Sequence, residues 1–250
     1  MIANINGINL YYEKSGRKGK KVLLLHGWGQ NTQMMAFIAE NLKSHFIVYN
    51  IDFPGFGQSD DPDVPWDTND YCEFIHEFCL KNKIDNPIII AHSFGCRVAI
   101  RYAYKYGAYK MCLTGAAGIR DKRDFKWYVK TYSYKLGKKI LSLKPLKKYK
   151  EKFEANVGSE DYKNASGVMR TTFVKVVNED LTELLSKIEA ETLLVFGEND
   201  NATKLYKGKI MEDKMPNAAL VVFEGDDHFA YINQAVRFNS VLDAFLRSDY

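Results

Sequence analysis

Residues 88–99 read Ile-Ile-Ile-Ala-His-Ser-Phe-Gly-Cys-Arg-Val-Ala and contain the sharpest change of pattern in the chain. A hydrophobic run stops at Ser93, and the residues that follow have the spacing of a helix. The residues two before and two after the serine, Ala91 and Gly95, are both small. This pattern predicts a tight turn between a strand and a helix, with the Ser93 hydroxyl exposed in front of the helix N-terminus.

A serine in such a turn is a candidate nucleophile, which needs a base to accept its proton and an acid to orient that base. Two later strand-like runs, residues 192–196 and 220–223, precede loops that contain Asp200 and His228. The C-terminal ends of neighbouring parallel strands lie at one edge of a sheet. We therefore expect Ser93, Asp200 and His228 to meet as nucleophile, acid and base.

These residues also have ordinary structural interpretations. A serine before a helix is often a simple N-cap, and an aspartate in a loop frequently stabilises a turn. Glu198 and Asp213 are alternative acids close to Asp200 along the chain. The two carboxylates directly before His228 are either turn residues or neighbours that raise the pKa of that histidine.

Two earlier segments complete a resemblance to the α/β-hydrolase superfamily that covers almost the whole chain. Residues 26–29, His-Gly-Trp-Gly, follow a hydrophobic strand and are similar to the oxyanion loop of that superfamily. Residues 52–60, Asp-Phe-Pro-Gly-Phe-Gly-Gln-Ser-Asp, are similar to its D-x-P-G-x-G-x-S turn. Ala91 is a departure, because the superfamily usually has glycine there, and the extra methyl group adds slight crowding without changing the chemistry.

The resemblance implies an α/β fold: an eight-stranded, mostly parallel sheet flanked by helices, with a helical cap inserted after the sixth strand. Alternating strand-like and helical patterns agree with this fold. Strands are expected near residues 2–6, 8–14, 21–26, 46–51, 87–92, 110–115, 192–197 and 219–223. Helices are expected near residues 33–43, 69–83, 95–106, 203–214 and 229–247. The core domain would comprise residues 1–117 and 187–250, and the cap residues 118–186.

The resemblance also assigns roles to aromatic positions near the serine. The backbone N–H groups of Trp28 and Phe94 would form an oxyanion hole, which stabilises the negative oxygen that develops during acyl transfer. Their rings, together with Trp127 of the cap, would line the substrate pocket. Such a pocket favours an apolar or aromatic substrate of small to medium size. His26 would brace the loop that carries Trp28.

The composition is typical of a soluble globular protein, with 46% hydrophobic and 26% charged residues among 250. Since no run of about eighteen apolar residues occurs, we expect no membrane span. The N-terminal residues lack the pattern of a signal peptide, which favours a cytoplasmic location. Four cysteines without a C-x-x-C pair indicate free thiols. We expect no metal, no cofactor and no nucleic-acid partner; the expected partner is a small-molecule ester.

Positive charge is concentrated in the first half of the predicted cap. Residues 120–152 contain thirteen lysines and arginines against three acidic residues, whereas the whole chain has a net charge of only +4. The solvent side of cap helices accounts for most lysines of this kind. A membrane surface, an acidic partner or nucleic acid is an alternative, and a further hypothesis is that this segment attracts an anionic ester.

The expected function is that of a serine hydrolase that cleaves carboxylic esters through an acyl-enzyme. Alternatives stay open, because the resemblance extends to carbon–carbon bond hydrolases, lactonases and cofactor-free peroxidases with the same three side chains. A non-catalytic member that binds a ligand is a further alternative. The sequence does not distinguish these activities, since the shared fold sets the reaction only loosely.

Overall fold

The computed structural model describes residues 1–121, 132–133, 136–137 and 159–250. Most of the basic segment and Trp127 therefore lie outside the described residues. Every strand predicted from the sequence is present, and each end lies within one residue of its predicted position. The strands are β1 Ile2–Ile5, β2 Ile8–Ser15, β3 Lys21–Leu25, β4 Ile47–Ile51, β5 Ile88–His92, β6 Lys110–Thr114, β7 Glu191–Gly197 and β8 Ala218–Phe223.

These strands form one mixed sheet with the order β1-β2-β4-β3-β5-β6-β7-β8. β2 pairs antiparallel with both β1 and β4, and every other pair of neighbours is parallel. The central strands β5 and β6 are buried along their whole length, as expected of parallel strands covered by helices on both faces. The prediction of an eight-stranded, mostly parallel sheet is confirmed.

The described helices are α1 Ala36–Leu42, α2 Thr68–Lys81, α3 Phe94–Tyr106, α4 Glu160–Asn164, α5 Gly167–Asn178, α6 Leu205–Lys214, α7 Ala230–Asn233 and α8 Ala235–Leu246. The single helix predicted near residues 229–247 is interrupted at Gln234, whose φ of −115° and ψ of 49° are not helical. The Asp226 carboxylate accepts hydrogen bonds from the side chains of Asn233 and Gln234. These bonds hold both residues at the break.

Two hydrophobic clusters lie on opposite faces of the sheet. Leu23 and Leu25 of β3 pack in the cluster that contains α2 and α3, whereas Val22 and Leu24 pack in the cluster that contains α1 and α8. This division follows from the alternation of side chains along a strand. Because both faces are filled, the open positions for a site are at the sheet edge where the strands end.

The chain between β6 and β7 carries α4 and α5, at the point where a cap was predicted. A hydrogen bond of 2.9 Å from the Leu181 N–H to the Gly118 carbonyl joins the two ends of this insertion. From α5, the Phe173 ring packs against Trp28 with 5.0 Å between ring centroids. The described part of the insertion therefore covers the loop that follows β3.

Two further features bear on the sequence-based expectations. All four cysteines, at positions 72, 79, 96 and 112, are buried and unpaired. Within the described residues, no helix combines the length and apolar character needed to cross a bilayer.

Candidate active site

Ser93 occupies the sharp turn that connects β5 to α3. Its φ of 50° and ψ of −108° lie in a region that non-glycine residues rarely adopt, at a cost of about 1–3 kcal/mol. The side chain makes no capping hydrogen bond to α3, so the alternative of an ordinary N-cap serine is wrong. The turn instead holds the hydroxyl out of the helix.

Gly95 is required by the close approach of this turn to β3. A Cβ atom at position 95 would lie 2.2 Å from the Leu25 carbonyl oxygen and 2.8 Å from that of His26. Both neighbours are backbone atoms, which cannot swing away as a side chain would. This confirms the structural reason for a small residue two positions after the serine.

The three residues predicted as nucleophile, base and acid lie in one hydrogen-bonded chain. His228 Nε2 lies 2.9 Å from Ser93 Oγ, and His228 Nδ1 lies 2.8 Å from Asp200 Oδ2. Asp200 follows β7, and His228 follows β8. Three separate loops thus place their side chains together at the C-terminal edge of the parallel strands, as open α/β sheets generally do.

Thr203 and its neighbour hold the Asp200 carboxylate in place. The backbone N–H groups of Ala202 and Thr203 each donate to Oδ1 at 2.8 Å, and the Thr203 hydroxyl donates to Oδ2 at 2.8 Å. Burial opposes ionisation of Asp200, but the hydrogen bonds and charge of His228 and the bonds from Thr203 outweigh it, so its pKa lies below the ordinary value. Asp200 is therefore an anion at neutral pH.

The other carboxylates considered from the sequence are held elsewhere or are exposed. Glu198 accepts a hydrogen bond from the Gly225 N–H at 2.9 Å, and Asp213 is exposed on α6. Asp227 Oδ1 accepts the N–H of Phe229 at 2.8 Å. Among the carboxylates considered from the sequence, Asp200 is the one that contacts the His228 ring.

His26 connects the loop after β3 to the loop after β4. Its Nε2 accepts the Phe53 N–H at 3.0 Å, and its Nδ1 lies 2.7 Å from the Gly27 carbonyl oxygen, to which it donates. Burial is the main reason that the pKa of His26 falls to about 4, so the ring is neutral and keeps an unprotonated nitrogen as acceptor. His26 thus braces the backbone that carries Trp28.

Asp52 explains the spacing of the second motif. Its Oδ1 accepts the Thr32 N–H at 2.6 Å, and its Oδ2 accepts the Gln58 N–H at 2.8 Å. A Cβ atom at Gly57 would lie 2.0 Å from Oδ2, so glycine leaves room for the carboxylate. Ser59 closes the turn by donating to the Asp52 carbonyl oxygen at 2.6 Å.

Trp28 and Phe94 lie side by side next to Ser93. Their rings form a T-shaped contact with 5.5 Å between centroids. Phe94 is the first residue of α3, and the first amides of a helix lack an intrahelical acceptor. Among residues 1–121 and 159–250, no group accepts a hydrogen bond from the N–H of Trp28 or of Phe94. Both amides are therefore available as donors.

A cavity of about 350 Å³ opens at Ser93 and His228. One part of its wall is apolar and includes Trp28, Phe94, Ile119, Phe173 and Val176. The rest is polar, and its charged members are Arg97, Arg120, Asp121, Asp161 and Lys207. The apolar lining predicted from the sequence thus covers only part of the cavity. Trp127, the third predicted pocket residue, lies outside the described residues.

His92 packs behind the His228 ring, with 4.8 Å between ring centroids. Its Nδ1 lies 3.2 Å from the Thr114 carbonyl oxygen. Burial, followed by the charge of His228, lowers the pKa of His92 well below its ordinary value. The His92 ring is therefore neutral at physiological pH and contributes packing next to the hydrogen-bonded chain.

The sequence profile of the alpha/beta hydrolase family matches residues 22–241, a span that includes all of the site residues described above. The chain belongs to the alpha/beta hydrolase family. This hydrolase is 25% identical to a pimeloyl-(acyl-carrier protein) methyl ester esterase of Legionella pneumophila, over 96% of this chain and 100% of the relative. It is 26% identical to a proline iminopeptidase of Saccharolobus solfataricus, over 98% of this chain and 91% of the relative.

Solved structures show the same fold as this alpha/beta hydrolase. An esterase from Exiguobacterium antarcticum superposes with a TM-score of 0.76 at 21% identity and covers 98% of both chains. A meta-cleavage product hydrolase from Pseudomonas fluorescens IP01 gives a TM-score of 0.76 at 22% identity, over 100% of this chain and 98% of that one. At these identities the likeness concerns the fold alone.

Proposed function

We propose that this hydrolase cleaves carboxylic esters, with Ser93 as nucleophile, His228 as general base and Asp200 as the acid that orients the imidazole. The observation that carries the proposal is the continuous hydrogen-bonded chain from Ser93 Oγ through His228 to Asp200 Oδ2, with distances of 2.9 and 2.8 Å. This chain ends at a cavity large enough for a small ester. A serine, a base and an orienting carboxylate in this order are the parts that covalent acyl transfer requires.

In the first half-reaction, Ser93 Oγ attacks the ester carbonyl carbon while His228 Nε2 accepts the hydroxyl proton. The resulting imidazolium is stabilised by the ionised Asp200. The carbonyl π electrons move onto the oxygen, which becomes negative and accepts hydrogen bonds from the Trp28 and Phe94 N–H groups. Preorganised donors of this kind contribute about 3 kcal/mol each to transition-state stabilisation.

Collapse of the tetrahedral intermediate breaks the bond between the carbonyl carbon and the alkoxy oxygen. His228 donates its proton to that oxygen, and the alcohol leaves. A water molecule then attacks the acyl-Ser93 carbonyl while His228 again accepts a proton. The second collapse releases the carboxylic acid and restores the Ser93 hydroxyl.

The cavity supports an acyl or alcohol group of small to medium size. Trp28, Phe94 and Phe173 form an aromatic wall, in which Trp28 contacts the other two rings at 5.5 and 5.0 Å. The Legionella relative, which is a methyl ester esterase, supports the same reaction class. We further propose that residues 118–186 act as the cap over this cavity, since α5 supplies Phe173 to its wall.

The test is hydrolysis of p-nitrophenyl esters from acetate to dodecanoate by the native protein and by Ser93→Ala. We expect cleavage of the shorter esters and a loss of at least about 1,000-fold in kcat for the variant. Ser240→Ala is the matched control, because Ser240 is exposed on α8 and its hydroxyl bonds only within that helix, to the Val236 carbonyl oxygen. Undiminished activity of Ser93→Ala would contradict the assignment. If the protein cleaves no ester but cleaves a lactone or a vinylogous diketone in a Ser93-dependent way, that reaction is its activity and ester hydrolysis is not.

A further inference from the structure

Arg97 is a buried cation in the wall of the candidate active site. It lies on α3 four residues after Ser93, which corresponds to one helical turn and about 6 Å along the axis. Only 7% of its surface is exposed, and it lines the same cavity as Ser93 and His228. Arginine is rarely buried without a paired group. Its position therefore calls for an explanation.

Two neighbouring cations have carboxylate partners. Arg101, one turn further along α3, forms an ion pair with Glu179. Lys207, which also lines the cavity, lies 2.9 Å from Asp121. The charges of these two side chains are thus satisfied within the protein.

The third neighbour, Arg120, lies near Asp180. Burial opposes ionisation of Asp180, but the hydrogen bonds from Thr182 and the nearby Arg120 outweigh it and lower the pKa of that carboxyl. The Arg120 guanidinium also donates to the Asn178 carbonyl oxygen at 3.3 Å. Arg120 is exposed, so water solvates its charge and it needs no carboxylate partner in direct contact.

Arg97 has no such direct partner. Its Nη1 donates to the backbone carbonyl oxygen of Glu179 at 3.0 Å, and within the described residues no carboxylate oxygen forms an ion pair with it. Burial is the largest influence on Arg97 and lowers its pKa, against the weaker attraction of Glu179 and Asp180. A guanidinium remains charged even so. The remaining N–H groups make no hydrogen bond to another described residue.

The other charged groups that face the cavity do not neutralise Arg97. Asp161 lines it from α4, but this carboxylate lies next to the oxyanion loop, 4.0 Å from a Cβ built on Gly29, and it does not act on Arg97. His228 is engaged with Ser93 and Asp200. The cavity therefore holds one buried cation whose carboxylate partner is absent from the described protein groups.

We propose that Arg97 binds a carboxylate of the substrate, so that the preferred ester carries a negative charge beyond its scissile bond. This inference rests on the proposed ester hydrolysis at Ser93. A planar guanidinium with free N–H donors binds a carboxylate by paired, charge-assisted hydrogen bonds, and these are strengthened where water is excluded. The aromatic wall would hold the methylene chain between the ester and the carboxylate. The substrate class is thus the half-ester of a dicarboxylic acid.

The test compares half-esters with neutral esters of equal carbon number. Monoethyl succinate, glutarate and adipate are paired with ethyl butanoate, pentanoate and hexanoate, and acid release is followed by pH-stat. We expect kcat/KM to favour at least one half-ester by about tenfold or more, and Arg97→Gln to reduce that ratio by about tenfold or more. Arg101→Gln, which removes a cation paired with Glu179 outside the cavity wall, should retain the ratio. Arg97→Lys should retain part of it, because it keeps the charge but not the planar fork.

Two results would overturn the proposal. One is the absence of any preference for half-esters in the native protein. The other is an equal loss of both substrate classes in Arg97→Gln, which would mean that the arginine only supports the fold. If Arg97→Gln does not fold, the proposal is tested by two other measurements: the preference of the native protein for half-esters, and the change in that preference in Arg97→Lys. No native preference, or an equal loss of both substrate classes in Arg97→Lys, would overturn it.

Binding separates this proposal from the proposed ester hydrolysis. Calorimetry with glutarate and adipate, against pentanoate and hexanoate, measures the carboxylate subsite without any reaction. If esters are not cleaved but a dicarboxylate binds more tightly than the matched monocarboxylate, and Arg97→Gln removes the difference, the subsite stands and the ester assignment fails. Equal binding, or none, rejects the subsite.

Discussion

The Thr203 hydroxyl lies 2.8 Å from Asp200 Oδ2 and donates its hydrogen bond to that oxygen. The same oxygen accepts the hydrogen bond from His228 Nδ1. The carboxylate is therefore fixed by a side chain and two backbone amides before any substrate binds. A base held in one orientation does not have to reorganise when Ser93 reacts.

Thr203→Val tests whether this hydroxyl supports the reaction. Valine has nearly the same shape but cannot donate to Asp200, and a hydrogen bond to a charged group contributes about 1.5–3 kcal/mol. We expect kcat to fall about tenfold or more, with KM little changed. Thr203→Ser restores the hydroxyl and should recover most of the rate. Equal kcat values for Thr203→Val and the native protein would show that the two amides alone position Asp200.

Gly95→Ala tests the steric requirement of the Ser93 turn. The added methyl group would meet two backbone oxygens, the nearer at 2.2 Å, so the turn or β3 must shift. We expect a loss of about 2–3 kcal/mol in the free energy of unfolding, as for other overpacked positions, and loss of esterase activity. The measurement is chemical denaturation followed by circular dichroism.

Gly107→Ala is the control for that experiment. Gly107 ends α3 with a φ of +80°, but no atom lies within 4 Å of a Cβ built there. With a ψ of 160°, Gly107 lies in a backbone region that is almost restricted to glycine, so the variant carries backbone strain of about 1–3 kcal/mol but no clash, and it should stay active. A Gly95→Ala protein as stable and as active as native would contradict the crowding argument.

Phe173→Ala tests the position of α5 over the cavity. Removal of the ring that packs on Trp28 should lengthen the apolar part of the cavity. We expect the preferred p-nitrophenyl ester to shift to a longer acyl chain, measured as the ratio of kcat/KM for decanoate to that for butanoate. Val174→Ala, an exposed position on the same helix, should leave this ratio unchanged. An unchanged ratio in Phe173→Ala would show that α5 does not contribute to the substrate pocket.

Asp200→Asn tests the ionised state of the acid. Loss of the negative charge should reduce kcat by about 10⁴-fold. Because the folded-state pKa of Asp200 is lowered, its charge stabilises the fold above the unfolded-state value of about 3.9, and this contribution disappears as the pH falls through the folded-state pKa. The stability difference between native protein and variant should thus be constant above about pH 5 and shrink below pH 4. A difference that persists undiminished at acid pH would contradict this.

The sequence predicts the strands and the three residues Ser93, Asp200 and His228, because each depends on local pattern and chain order. A hydrophobic strand that ends at a polar loop is visible in the sequence, and the parallel sheet then places the loops after β5, β7 and β8 at one edge. Thr203 was missed because a threonine in a loop has many possible roles. Thr203 lies three residues after Asp200, and its role is visible only in the folded loop, where the Asp200 carboxylate turns back toward residues 202 and 203.

Arg97 was also missed, although the sequence contains a signal. It is the one charged residue in the otherwise uncharged stretch from Phe94 to Ile100, where a helix is buried on most sides. Sequence spacing places Arg97 one turn from Ser93. It does not show which carboxylates are already paired with other cations. That distinction depends on Glu179 and Asp121, which come from distant parts of the chain.

Covalent labelling of the native protein with a fluorophosphonate, followed by peptide mapping, tests most directly whether Ser93 is an activated nucleophile. We expect one label per chain, located on Ser93, with loss of esterase activity in proportion to labelling. His228→Gln should label at least about 100-fold more slowly, because general-base assistance contributes at least that factor. Labelling of a different residue, or labelling of Ser93 at the same rate without His228, would contradict the account.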